Sequence, residues 1–158
     1  NQIFSAEKIY IFSKGHQKIY ATSIAVSKQN IFMGSGPNSF RYSCKIFEKL
    51  NPNKYSCSTH PHNTFLQFMS ELGIFLLVIL SIIYFKLSLL FIKLLYKNIS
   101  FRNELNLIRA FSILPILIIL FPFGTSGNFF NNYNSIILYY VISICYYLNT
   151  KTKLNFLN

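Results

Sequence analysis

Fourteen consecutive residues without a charge, Leu72 to Phe85 ("LGIFLLVILSIIYF"), constrain this chain more than any other feature. The apolar pattern continues to Leu95, interrupted by Lys86 and Lys93. A membrane-spanning helix needs about 20 mostly apolar residues, and lysines near its end can snorkel to the interface. Composition agrees: 52% of residues are hydrophobic and only 12% are charged. The sequence therefore predicts a membrane helix over about 72–95.

Two further spans are predicted. One runs over about 107–123, bent at Pro115, with Arg109 near its start and Pro122 near its end. The other covers about 130–148, purely apolar only from Ile136, with Tyr139, Tyr140, Tyr146 and Tyr147 suited to an interface or a bundle. The expected fold is mainly α: a polytopic membrane segment over 71–158, preceded by an extracytoplasmic loop region with short helices over 1–70. Charge orients it. Lys93, Lys97, Arg102 and Arg109 lie between the first two spans, Lys151 and Lys153 follow the third, and 124–134 carries no charge. By the positive-inside rule the 93–109 loop and the C-terminus face the cytoplasm, so 1–70 and 124–134 face outwards. The outer segment is itself basic, and the whole chain carries a net +11, with Glu7, Glu48, Glu71 and Glu104 as its only acids. Those charges call for an anion. Nucleic acid is not expected, because the cations are divided between both sides of a membrane. The chain opens on Asn1 with no signal peptide and reads as the C-terminal part of a longer protein.

Within the outer segment, "KIYATSIAVSK" (Lys18 to Lys28) predicts a short amphipathic helix. "MGSGPNSFR" (Met33 to Arg41) is a turn cluster. Gly34 and Gly36 would either bring backbone amides close to a phosphate or simply make the turn. Cys44 and Cys57 would, outside the cytoplasm, either close a disulfide or stay as thiols, because sequence alone does not bring two sulfurs together. Cys145 sits in an apolar run as a small hydrophobe.

In "THPHNTFLQFMSELG" (Thr59 to Gly73), Pro61 keeps His60 out of helix and Asn63 is a good N-cap. Asn63, Gln67, Ser70 and Glu71 then form a polar stripe. The H-x-H pair lacks further ligands of the usual kind, and there is no aspartate in the chain, so no metal is expected. His16 has no sequence neighbours with which to form a constellation.

This order of elements resembles the C-terminal part of the bacterial O-antigen ligase / O-antigen polymerase superfamily. The resemblance rests on Gly34-Ser35-Gly36-Pro37-Asn38-Ser39-Phe40, then His62-Asn63, then nine residues, Thr64 to Leu72, before Gly73. "PFGTSGNFF" (Pro122 to Phe130) resembles the outer turn between the final two spans. Leu76 replaces the second glycine, and residues 76–79 lack the ligase-type Gly-Thr-x-Gly, which favours a polymerase or another member over a ligase. The resemblance implies a multi-pass bacterial inner-membrane enzyme of lipopolysaccharide or polysaccharide synthesis. Such an enzyme moves a glycan from an undecaprenyl-diphosphate carrier to a hydroxyl on lipid A-core, a glycan or a protein, without a cofactor. Its further membrane helices and at least one more arginine would lie upstream, so this stretch alone is expected to be inactive.

The implied chemistry assigns roles. Diphosphate is already a good leaving group and asks only for cations; Arg41 suits this best, with Lys45 second. His62 would take the acceptor's proton. Glu71 would pair with an arginine or orient the site, and Asn63 would cap the helix or bind sugar hydroxyls. The alternative is a non-catalytic membrane component whose basic loop holds an anionic lipid or glycan.

Overall fold

A computed structural model of the chain describes residues 12–101 and 104–154, without the side chains of 98–101 and 151–154. Glu7, Arg102 and the side chains of Lys151 and Lys153 thus lie outside the described residues. The architecture is helical, with no strand among them: α1 (Lys14–Ser27), α2 (Phe40–Leu50), α3 (Thr64–Gln67), a π-helical turn (Phe68–Leu72), α4 (Gly73–Phe101), α5 (Glu104–Ile119) and α6 (Asn132–Leu154).

Helix α1 starts four residues before the expected Lys18, because Ser13 caps it: the hydroxyl accepts the amide of His16. In α2, Phe40, Cys44 and Phe47 fall on one face and pack with Val26 and Ile19 of α1. Arg41 and Lys45 occupy a neighbouring face. A disulfide joins Cys44 to Cys57 (Cα–Cα 5.1 Å), so the loop after α2 is tied to the middle of that helix. Thr22 of α1 holds the same loop, donating to Ser56 O (2.9 Å) and accepting from Ser56 N (3.1 Å).

From Thr64 to Lys97 runs a 34-residue helical stretch, long and apolar enough to cross a membrane. Only 6% of its apolar window is buried within the chain, unlike the core helix of a soluble domain. Phe75, Phe85 and Ile92 are each at least 60% exposed. α5 has 16 residues, about 24 Å, and ends before the expected Phe123 because Pro122 cannot extend it. The helix runs through Pro115. α6 starts at Asn132, where the carboxamide of Asn131 accepts from Tyr133 N (3.2 Å), and extends past the expected Leu148. Leu80 packs with Ile116, Leu120 and Leu138, whereas Leu94 packs with Ala110, Ile113 and Leu117. The partners in α5 run backwards as α4 runs forwards, so the two are antiparallel. Cys145 packs against both clusters.

At the entrance to α4 the helical ladder is opened and another segment enters it. Gly73 has φ +82° and ψ −179°, a conformation essentially confined to glycine. The carbonyls of Ser70 and Glu71 accept instead from the amides of Ser35 (3.0 Å) and Gly36 (2.8 Å), and Ile74 N donates to Ile31 O (2.8 Å). Both glycines are needed for the fit. A Cβ on Gly34 would lie 2.4 Å from the Glu71 backbone, and one on Gly73 would lie 2.1 Å from Phe32 O.

Candidate functional site

The 31–36 loop therefore does not present its amides to an anion. The Gly34 amide is bonded to Asn30 O (2.8 Å), and those of Ser35 and Gly36 fill the opened helix. Both are turn residues with positive φ: Gly34 packs against the Glu71 backbone, whereas Gly36 has open space about its Cα and takes part through its amide.

Glu71 is fully buried beneath this loop. Its carboxylate accepts from Phe40 N (2.9 Å) and from the Gln67 carboxamide (2.9 Å), and among the described residues no arginine meets it. Ser39, at the N-cap of α2, makes no side-chain cap bond. Glu71 supplies that cap from a different part of the chain, at the positive end of the helix dipole. It thereby fixes the helix that carries Arg41 and Lys45. Gln67 extends the relay. It donates to Asn128 Oδ1 (2.7 Å), its own carbonyl oxygen accepts Phe129 N (2.9 Å), and Asn128 donates to Asn38 Oδ1 (3.0 Å).

Asn63 is similarly committed. Its Oδ1 caps α3 by accepting Leu66 N (3.0 Å), and its amide donates to Pro122 O (2.7 Å) and Gly124 O (3.0 Å). With both ends used and the residue 5% exposed, it is a cap and clamp, with no group left for a sugar. Ser126 N donates to His62 O (2.9 Å), and Thr64 and Ser126 join their hydroxyls (2.9 Å). The turn 122–130 is thus the platform on which the His-Pro-His-Asn loop rests.

On that platform all three histidines of the chain converge. The ring of His62 lies 4.1 Å from that of His60 and 5.6 Å from that of His16, the latter edge to face. His62 has φ +56°, a left-handed backbone conformation that costs a non-glycine residue of order 1 kcal/mol. The clamps on either side hold it there. Its Nε2 meets the Ser58 hydroxyl at 3.0 Å. His60 donates from Nε2 to Ser126 O (3.3 Å), which leaves Nδ1 for the Thr59 hydroxyl (2.9 Å). Burial, and then the neighbouring His16, lower the pKa of His62; burial, His62 and Arg41 lower that of His60, partly offset by the bond to Ser126. Neutral imidazole is favoured at both. Among the described residues no three His, Cys, Asp or Glu are arranged to hold a metal ion.

Next to Ser58 opens a cleft of about 370 Å³, lined by Arg41, Tyr42, Lys45, Cys57, Ser58 and Thr59. Arg41 Nε is buried there without a hydrogen-bond partner, and Lys45 Nζ lies 6.0 Å from the centre of the Tyr42 ring. The disulfide forms the seam between the two cations and Ser58.

Sequence reasoning missed two residues here. His16 lies 46 positions before His62, and nothing along the chain couples the two; the structure also sets its ring near that of Tyr20 one turn on (centroids 6.1 Å). Ser58 stands in a serine-rich loop with nothing local to single it out.

Fold and site together define a helical protein with a membrane-length helix and a histidine-centred polar site at that helix's entrance. Residues 13–81 match the family model described as O-antigen ligase, a family of bacterial membrane proteins. Through that segment the chain is similar to the O-antigen ligase superfamily, which supports a function of the ligase or polymerase type in general terms. The match takes in α1, α2, the histidine loop and the opened helix; the 122–130 turn lies beyond it. No curated protein and no solved structure matches the chain.

Proposed function

We propose that this chain carries the outer catalytic segment of an inner-membrane glycosyltransferase that moves a glycan from an undecaprenyl-diphosphate carrier to an acceptor hydroxyl. In this reading residues 1–70 are periplasmic, α4, α5 and α6 all cross the membrane, and the C-terminus is cytoplasmic. The supporting observation is the pairing of His62 Nε2 with a hydroxyl, that of Ser58 at 3.0 Å, beside a cleft edged by Arg41 and Lys45. The acceptor hydroxyl takes the place of Ser58 on Nε2. It gives up its proton as its oxygen attacks the anomeric carbon, and the bond from that carbon to the diphosphate breaks. The unpaired Nε–H of Arg41, with Lys45, receives the charge that grows on the leaving diphosphate. No acid is needed on that side. Glu71 and Asn63 act by positioning, one through α2 and the other through the 122–130 turn. The acceptor class, lipid A-core, glycan or protein, is left to the part of the site that binds it.

The test is glycan transfer by the full-length protein in membranes. His62→Ala should lower turnover by about 10²–10⁴-fold at normal expression. Arg41→Ala should weaken use of the lipid-linked donor. Undiminished transfer by the His62 variant would remove the base. A component that only binds an anionic lipid or glycan would keep its binding in that variant and show no acceptor modification in either protein.

A further inference from the structure

Two hydroxyl–imidazole pairs, not one, stand at the cationic cleft. Besides Ser58 on His62 Nε2 (3.0 Å), the Thr59 hydroxyl meets His60 Nδ1 at 2.9 Å. Ser58 and Thr59 are consecutive, and both line the cleft that Arg41 and Lys45 edge. The two imidazole rings lie 4.1 Å apart. A third pair, Ser13 with His16 Nδ1 (2.7 Å), is not part of that lining, and its hydroxyl also serves the α1 cap.

The mechanism above uses only the His62 pair, yet the direction of the His60 pair is the better fixed. A carbonyl oxygen only accepts, so the bond to Ser126 O (3.3 Å) puts the ring proton of His60 on Nε2. Nδ1 is then bare and takes the Thr59 hydroxyl as donor. Burial, the main cause that lowers the pKa of either ring, favours the neutral form that accepts.

We propose that the site recognises its acceptor by two adjacent hydroxyls: the attacking one replaces Ser58 on His62 Nε2, and its neighbour replaces Thr59 on His60 Nδ1. The proposal rests on the reading of His62 as base and adds to it the class of acceptor, a sugar carrying a vicinal diol. His60 gains no proton in the reaction; it holds the second hydroxyl and so determines specificity. Neighbouring hydroxyls on a pyranose ring lie about 3 Å apart, close to one hydrogen-bond length, and two accepting nitrogens on rings this near suit such a pair. A serine or threonine of an acceptor protein brings one hydroxyl and leaves His60 to Thr59. The size of the preference follows from that stand-in. A site with nothing to replace a missing substrate hydroxyl rejects the deficient analogue by about 10⁴–10⁵-fold. Here Thr59 returns to Nδ1, no group is orphaned, and the preference is that of one net hydrogen bond, about tenfold.

The experiment measures kcat/KM of the full-length protein in membranes with the lipid-linked donor. The acceptors are methyl pyranosides bearing adjacent hydroxyls, their monodeoxy analogues that keep the attacking hydroxyl, and a serine/threonine peptide. Wild type should favour the best diol over its monodeoxy analogue by about tenfold. His60→Gln puts a carboxamide where Nε2 donates to Ser126 O and removes the acceptor at Nδ1. The preference should vanish in it, with the monodeoxy rate kept. His60→Asn puts its carboxamide at the Nδ1 position and should retain part of the preference. A purely structural His60 predicts the opposite order, Gln harmless and Asn harmful, with both acceptors slowed alike. That order overturns the proposal, as does equal use of diol and monodeoxy sugars by wild type, or the peptide as the best acceptor. The wild-type comparison decides even where a variant does not fold. If His62→Ala transfers undiminished while the diol preference still follows His60, the base assignment falls and the diol subsite stands.

Discussion

The segment before α4 and the apolar helices differ in where their polar groups find partners. In α4 and α6 the hydroxyls of Ser81, Ser88, Ser143 and Thr150 each bond the carbonyl four residues back, within their own helix. Before α4, beside such local bonds, stand remote ones: Glu71 reaches Phe40 across 31 positions and Asn63 reaches Pro122 across 59. A local bond follows the helix wherever it packs. A remote bond specifies one arrangement, and its loss leaves two buried groups unsatisfied. The difference teaches where this chain holds its geometry, namely at the helix entrance.

The strongest way to break that contrast is Gly73→Ala. A side chain there meets Phe32 O and is strained at φ +82°. It should cost about 4 kcal/mol, read as a large drop in the thermal unfolding midpoint and the appearance of protease-sensitive sites around residues 31–36. Glu71→Ala should cost about 3 kcal/mol, since it orphans both Phe40 N and the Gln67 carboxamide; Glu71→Gln, which can still accept from Phe40 N, should lose less. An equal loss in both variants would show that the cap on α2 does not depend on hydrogen bonding.

A smaller effect is expected from pH. His60 and His62 have folded pKa values below the ordinary imidazole value of 6.5, so the unfolded chain binds more protons in the window beneath it. Their contribution to stability is complete above that ordinary value and is lost as pH falls through the lowered ones. The unfolding midpoint should decline on acidification, and the double variant His60→Gln, His62→Gln should decline less steeply. Smallest of all is Ser81→Ala in α4, whose hydroxyl serves only its own helix; a change within about 0.5 kcal/mol is expected. A loss as large as that of Glu71→Ala would erase the distinction between the two regions.

How much could be read in advance follows the same division. Leu72–Phe85 announced its helix because apolar character, length and absence of charge are properties of consecutive residues. Asn63 announced its cap for the same reason. The polar residues of the segment before α4 are legible as types, but not as partners. Gly34 and Gly36 looked like a turn or a phosphate cradle, and only their fit against the opened helix decides between these. His16 looked solitary because nothing along the chain couples it to a residue 46 positions away.

The sequence by itself determined a basic, polar segment leading into a membrane-length apolar helix, since composition and periodicity are local quantities. The tertiary structure alone decided that the helix opens at Gly73 and that Glu71 caps α2 from outside. It also decided that three histidines share one platform on the 122–130 turn. Those outcomes depend on which buried donors find which acceptors, and that matching exists only once distant parts of the chain have met.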